Sequence, residues 1–386
     1  MIFLGFGLTA YGMSYTKFKN HTKKHAKTLQ SQALNIKQVE VENAITLRTP
    51  NPTLDVEVGR YKPDFSGAEY GYSVSASQKV RTNSYYSALQ STAEAKTLLS
   101  KAYVYEGKAA YMKKVEDTYT QYVYESKLLA ILNEEHILSK KMTHVAKERY
   151  VNGSETKVAY LQAKTQTLNL KTQMHTTKQK MYSLYYMLLA MGGFSKNVSL
   201  SKKFIYSVSS KLGGRQKLNS QQKILLAKEK LYASQLSMNE SRFTSYNVIA
   251  GVEKEPEQSI LHVGISIPLP LRHNKEEERA LSRLKMQQLE LDRGALALNI
   301  KSQKKMRNAA IRELSQQYVA LRTLKKEQHI LSNLLTEGYE IAQGSLFELM
   351  LAKNKLIQTR KSLIQTQKEM NHQKIELRLL KGNYND

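Results

Sequence analysis

Residues 246–274 constrain the fold of this chain most. In Leu261-His262-Val263-Gly264-Ile265-Ser266-Ile267 large apolar residues alternate with small or polar ones, the period of a half-buried strand. Pro268 and Pro270 end that pattern, because proline has no N–H to give to a ladder. Asn274 can then cap a helix whose first turn holds Glu276, Glu277 and Glu278, where negative charge complements the helix dipole. The same plan occurs earlier. Leu54, Val56 and Val58 alternate with Asp55 and Glu57; after a loop holding Pro63 and Gly67, Tyr70, Tyr72, Val74 and Ala76 alternate with Gly71, Ser73, Ser75 and Ser77. A long helical run follows each pair of strands.

From about Arg81 to Lys147 there is no proline and a single glycine, Gly107. A helix of that span is about 100 Å long. Leu98, Tyr105, Met112 and Tyr119 recur every seven residues, with Ala102, Ala109 and Val123 offset by three or four, which is a coiled-coil seam. The clearest seam is the last: Leu349, Leu356, Leu363, Met370 and Leu377. Positions 189 earlier are Tyr160, Thr167, Met174, Met181 and Leu188, apolar at four of the five, so the chain reads as an internal duplication. The expected layout is a residual signal segment over 1–13, a first structural repeat over 14–191 with its β-hairpin at 52–79, and a linker over 192–218. A second repeat over 219–386 has its hairpin at 245–268. Within the linker, Phe204, Tyr206 and Val208 alternate weakly between Gly192-Gly193 and Gly213-Gly214.

Composition narrows the functional classes. The 386 residues contain no Cys, which excludes a disulfide framework, a thiolate metal site and a cysteine nucleophile. The net charge of +26 reads as a solvated, lysine-rich helical surface or as attraction to anionic lipid or an acidic partner. No RNP, helix-turn-helix or zinc-finger pattern accompanies it, so nucleic acid is not expected as a partner. No stretch approaches the ~20 apolar residues of a membrane-spanning helix. If the chain crosses a membrane, it does so with strands.

Nothing in the sequence calls for catalysis. There is no Gly-rich phosphate loop, nucleophile elbow or zinc-protease helix, so neither an enzyme nor a cofactor is expected. His21 and His25 lack a third ligand and read as a solvated surface pair, leaving no metal site. Glu134 and Glu135 lie in a helix with no evident partner.

Four strands cannot close a sheet alone, and exposed edges invite aggregation. Strands of roughly 9 to 11 residues with one apolar and one polar face have the dyad pattern of outer-membrane barrels. Several chains could close one by symmetry, with Leu54, Val56, Val58, Tyr72, Val74, Val263, Ile265 and Ile267 toward lipid. Asp55, Glu57, Ser73, Ser75 and Ser77 would then face a wet lumen. A small soluble sheet capping a coiled-coil rod stays open on pattern alone.

In order along nearly the whole chain, the residues resemble the TolC-type outer-membrane efflux family. The likeness rests on Asn51-Pro52 before the first strand and on Val263 to Leu271 (VGISIPLPL) followed by Asn274. It rests also on Glu148 to Thr156 (ERYVNGSET) leading to Tyr160-Leu161-Gln162-Ala163, and on Tyr339 to Ser345 (YEIAQGS) leading to Phe347-Glu348-Leu349. The last two are similar to the family's helix-turn-helix tips, near 149–156 and 339–345. Ala342 stands where a tip glycine is usual, with Gly344 two residues later. Arg272 and His273 follow the proline run where an aromatic is common.

The resemblance implies a mainly α fold with a small β part. Long coiled-coil hairpins would form an α-barrel tunnel, and four transmembrane strands per chain would make a 12-stranded barrel as a homotrimer. The linker would be equatorial. It further implies an exit duct in a Gram-negative outer membrane, extending into the periplasm. A periplasmic adaptor (membrane fusion) protein and an inner-membrane transporter of the RND or ABC type would be its partners, and outer-membrane lipid its surroundings. Arg149, Tyr150, Gly153, Thr156, Tyr339, Gly344 and Ser345 would form the gating and adaptor-contact tips, and Pro268 and Pro270 the strand-to-helix hinge. A basic coiled-coil scaffold and the adaptor itself are the alternatives.

Overall fold

A computed structural model of the chain describes residues 12–61, 67–210, 217–269, 274–341 and 344–384. Among them follow α1 (Tyr15–His25), α2 (Lys27–Leu47), β1 (Thr53–Tyr61), β2 (Glu69–Arg81), α3 (Asn83–Val151), α4 (Lys157–Gly192) and α5 (Ser220–Glu240). After these come β3 (Ser245–Lys254), β4 (Ser259–Ser266), α6 (Glu276–Glu340) and α7 (Leu346–Leu380). The protein is mainly helical with one small antiparallel sheet. Its described residues group into two compact units. One takes from Met1–Ser31, Gly107–Asn219 and Asn299–Asp386, the other from Gln32–Glu106 and Ser220–Leu298. Each unit therefore draws on both halves of the sequence.

The second unit holds the sheet, in strand order β1-β2-β3-β4 with every neighbour antiparallel. Gly251 faces Ser75 so closely that a Cβ there would lie 2.7 Å from the Ser75 Cβ, so this crossing of β2 and β3 needs a glycine. Arg81 ends β2 by donating to the Leu47 and Thr46 carbonyls at 3.0 and 2.9 Å, satisfying the open C-terminus of α2. Asn43 donates to the Ala93 carbonyl at 2.7 Å, and small buried residues (Ala102, Ala227) beside Ile224 let α3 and α5 approach. β4 ends at Ser266, so Ile267 lies just outside the ladder, in the extended segment that Pro268 imposes on the residue before it. Pro268 is described; Pro270, Pro63, Gly213 and Gly214 lie outside the described residues, as does most of the segment 1–13.

The first unit is built around Phe18, Val115, Tyr119, Tyr122, Val123, Leu188 and Leu200. The α7 seam is buried at Leu349, Leu356, Met370 and Leu377. In α3, Ala102, Ala109, Met112, Tyr119 and Val123 are buried, but Leu98 and Tyr105 stay exposed. In α4 the buried stripe is Ala163, Leu170 and Thr177, again seven apart but displaced by three from Tyr160, Thr167 and Met174. The expected stripe is buried at its other end, where Leu188 is in the core and Met181 packs against it, but between 160 and 177 the better buried face is the one holding Ala163, Leu170 and Thr177. Between α1 and α2 the helix is broken at Ala26, whose backbone is extended; the Gly193 backbone comes so near that a Cβ would lie 2.6 Å from the His25 carbonyl oxygen. Phe204, Tyr206 and Val208 form no strand. Asn371 of α7 brackets Tyr206 instead, accepting from its N–H at 2.8 Å and donating to its carbonyl at 3.0 Å. The buried Lys374 ammonium donates to the carbonyls of Ser207, Val208 and Ser210 at 2.8 to 3.2 Å.

Candidate functional site

Two helix turns meet in the first unit. α3 ends at Val151, and Gly153 turns the chain with φ 75°, a left-handed conformation that glycine adopts without strain. Thr156 then caps α4, its hydroxyl accepting from the Ala159 N–H at 3.2 Å. On the other turn, Ser345 caps α7 by accepting from the Phe347 N–H at 3.2 Å. Gly344 lies against the end of α6: a Cβ there would sit 3.0 Å from the Tyr339 nitrogen. Ala342 is outside the described residues.

Arg149 joins the two turns. Its guanidinium stacks over the Tyr339 ring, 4.1 Å from the centroid, and donates through Nη2 to the Tyr339 carbonyl oxygen. Tyr339 is buried with Ala146, Ala163, Leu346 and Leu349. Burial raises its phenol pKa, against the pull of Arg149. Tyr150 stacks on Tyr160 with rings 6.1 Å apart and nearly parallel. Behind them a hydroxyl ladder laces α3 to α4: Thr167 meets Ser139 at 2.7 Å and Thr143 at 2.8 Å. Of the tip residues expected from sequence, Arg149 and Tyr339 make direct contact, while Thr156, Ser345 and the two glycines shape the turns.

Glu134 and Glu135 do have a partner, contrary to expectation. Arg360 of α7 donates to Glu135 at 2.8 Å and to Glu134. Burial nonetheless pushes the Glu135 carboxyl upward, opposed by that arginine. A charge at 360 facing charges 225 residues away leaves no local spacing to read. His21 is not a solvated surface residue either. It stacks on Phe194 with centroids 3.9 Å apart, and its Nδ1 lies 3.1 Å from the Gly192 carbonyl. Among the described residues no three His, Asp or Glu side chains gather to hold a metal ion.

The sheet of the second unit is amphipathic in an unusual sense. Register places Leu54, Ala76, Ala250 and Val263 in one row, and Val56, Val74, Val252 and Leu261 in the next, all on one face. That face is exposed, from 37% at Val74 to 76% at Val263. Asp55, Ser75, Gly251 and His262 form a row of the opposite face, with Glu57, Ser73 and Glu253 beside them; Ser73, Ser75 and Gly251 are the better covered residues of their strands. A sheet in water hides its apolar face. This one offers it.

No family model matches the sequence, and no curated protein matches it. Solved structures match the fold closely. The outer membrane protein VceC of Vibrio cholerae aligns with TM-score 0.77 at 12% identity, over 95% of both chains. The CmeC outer membrane channel of Campylobacter jejuni aligns with TM-score 0.77 at 13% identity, over 95% of this chain and 85% of that one. The MtrE outer membrane channel of Neisseria gonorrhoeae, solved in its open state, gives 0.75 at 12% identity, over 95% and 88%. The fold is that of the outer membrane channels. Within the outer membrane channel fold, the exposed apolar sheet face and the Arg149–Tyr339 junction are the two features with chemistry to contribute. Among the described residues no helix is long and apolar enough to cross a membrane.

Proposed function

We propose that the protein is an exit duct of the outer membrane, conducting solutes from the periplasm to the exterior with energy supplied by an inner-membrane transporter. The observation that carries this reading is the exposed apolar face of an open four-stranded sheet, backed by a polar face. Three copies close such sheets into one 12-stranded barrel, removing the free edges of β1 and β4 and putting Asp55, Glu57 and Ser75 toward a wet lumen. The long helices continue the bore into the periplasm, and the strap 192–218 surrounds it. The halves 14–191 and 219–386 arise by internal duplication, the offset of 189 laying Leu349 to Leu377 over Tyr160 to Leu188. An adaptor protein docks at the two tips, and an RND or ABC transporter lies beneath. No catalytic step belongs to this scheme.

Fractionation with an alkaline carbonate wash tests the reading. The unmodified chain is expected to stay with the outer membrane. Val56→Arg with Ile265→Arg is expected to release it, since a cation on the lipid face costs about 2–4 kcal/mol near the bilayer midplane. Retention of that double variant would sink the barrel.

A further inference from the structure

The two cations of the sheet's apolar face lie together at one end, and the face is banded toward them. Tyr246 pairs with Val80 at the end nearest the helices. The apolar rows follow, and at the hairpin end Tyr72 faces Val58 while Tyr70 faces Arg60. From Val80 to Tyr72 is about 27 Å along the strand, or about 20 Å when tilted, against an apolar band of about 25 Å in membrane barrels. Tyrosines thus bound the apolar rows at both ends, where amphipathic rings favour the water interface.

Level with the outer tyrosine band lie the cations. Arg60 sits opposite Tyr70, and Lys254 opposite Tyr72, on the same face as Leu54 and Val56. Both are exposed, and among the described residues neither forms an ion pair. The acids within the strands, Asp55, Glu57, Glu69 and Glu253, alternate to the opposite face, where Glu253 pairs with His262 at 2.9 Å. The Cα positions of Arg60 and Lys254 are about 12 Å apart from strand spacing and rise, a gap two long side chains span around one headgroup.

We propose that Arg60 and Lys254 bind the phosphate groups of anionic lipid headgroups at the outer rim of the barrel. The inference rests on the barrel reading above and adds to it a lipid site of defined chemistry. Arginine grips phosphate oxygens through two parallel N–H donors, and lysine adds a point charge. The adjacent tyrosines hold the headgroup plane level with the two cations.

The full chain, presented to phosphatidylcholine vesicles with and without phosphatidic acid, tests this at fixed ionic strength. The unmodified chain is expected to insert preferentially where phosphatidic acid is present. Arg60→Gln with Lys254→Gln is expected to reduce that preference by roughly tenfold or more. Lys325→Gln with Lys326→Gln, which removes equal charge from α6, is expected to leave it in place. Equal preference in the Arg60/Lys254 variant, or equal loss in the α6 control, would overturn the site in favour of general basicity. Abolition of the preference by added inorganic phosphate would assign the site to a free anion instead of lipid. No insertion of the unmodified chain into either vesicle would sink the barrel reading itself.

Discussion

Arg149 and Arg378 are built alike and differ in what they hold. Each lays its guanidinium over a tyrosine ring, at 4.1 Å for Tyr339 and 4.5 Å for Tyr384. Arg149 donates to a neutral backbone carbonyl where two turns meet. Arg378 donates at 2.6 Å to the carboxylate of Glu116, which is fully buried and also accepts from the Tyr15 hydroxyl at 2.5 Å and from the Tyr384 hydroxyl. The Glu116 site therefore fastens α3 to the residue that opens α1, to the last turn of α7 and to the C-terminal segment. Parting a buried ion pair leaves an uncompensated charge in low dielectric. Parting Arg149 from the Tyr339 carbonyl leaves no charge uncompensated on the carbonyl side, so less is lost. The Glu116 junction is therefore expected to hold more tightly than the Arg149 junction.

Breaking each junction in turn tests that difference. Arg378→Met is expected to cost about 3–5 kcal/mol in urea unfolding, because Glu116 stays buried without its partner. Adding Glu116→Gln should recover part of the loss. A cost for Arg378→Met no larger than that of Arg149→Ala would erase the contrast. For Arg149→Ala itself the expected stability loss is about 1–2 kcal/mol, with a clear rise in closed-state conductance in planar bilayers. Unchanged conductance would remove Arg149 from the gate. Gly153→Ala forces a Cβ into the left-handed region and should cost about 1 kcal/mol, seen as faster amide exchange confined to residues around the turn.

The smallest effect should come from His372, which joins α7 to α3. Its Nδ1 lies 3.0 Å from Asp117, with Lys113 bridging Asp117 at 3.2 Å and Glu376 at 2.8 Å. Lys368 and Glu369 flank the same site. The hydrogen bond to Asp117 raises the His372 pKa above its usual value, against partial desolvation. A raised histidine pKa gives stability that is complete below the unfolded value near 6.5 and fades as pH climbs through the folded value. Thermal unfolding should thus soften slightly between about pH 6 and 8, and His372→Gln should flatten that slope.

The strands and both turns were legible because their signals are local. Alternation in Leu54 to Val58 and Leu261 to Ile265 fixes which side chains share a face, and glycine at 153 with threonine at 156 spells a turn followed by a cap. The stripe on α4 was legible at Met181 and Leu188 but misread between 160 and 177, where the buried face holds Ala163 and Thr177, which hydropathy does not mark. The Glu116 cluster was invisible for a different reason: Tyr15, Arg378 and Tyr384 lie 101, 262 and 268 residues from it. Arg360 on Glu135 has the same character.

By itself the sequence determined the mainly helical order of elements, the sheet's two unlike faces and the positions of the turns, since each follows from backbone sterics, capping or a period of two within a few residues. Only the tertiary structure decided which charges are paired, which residues of α4 are buried between 160 and 177, and how openly the apolar rows of the sheet lie. Those outcomes depend on how helices and strands far apart in the chain are rotated against one another, and no short stretch of residues encodes that rotation.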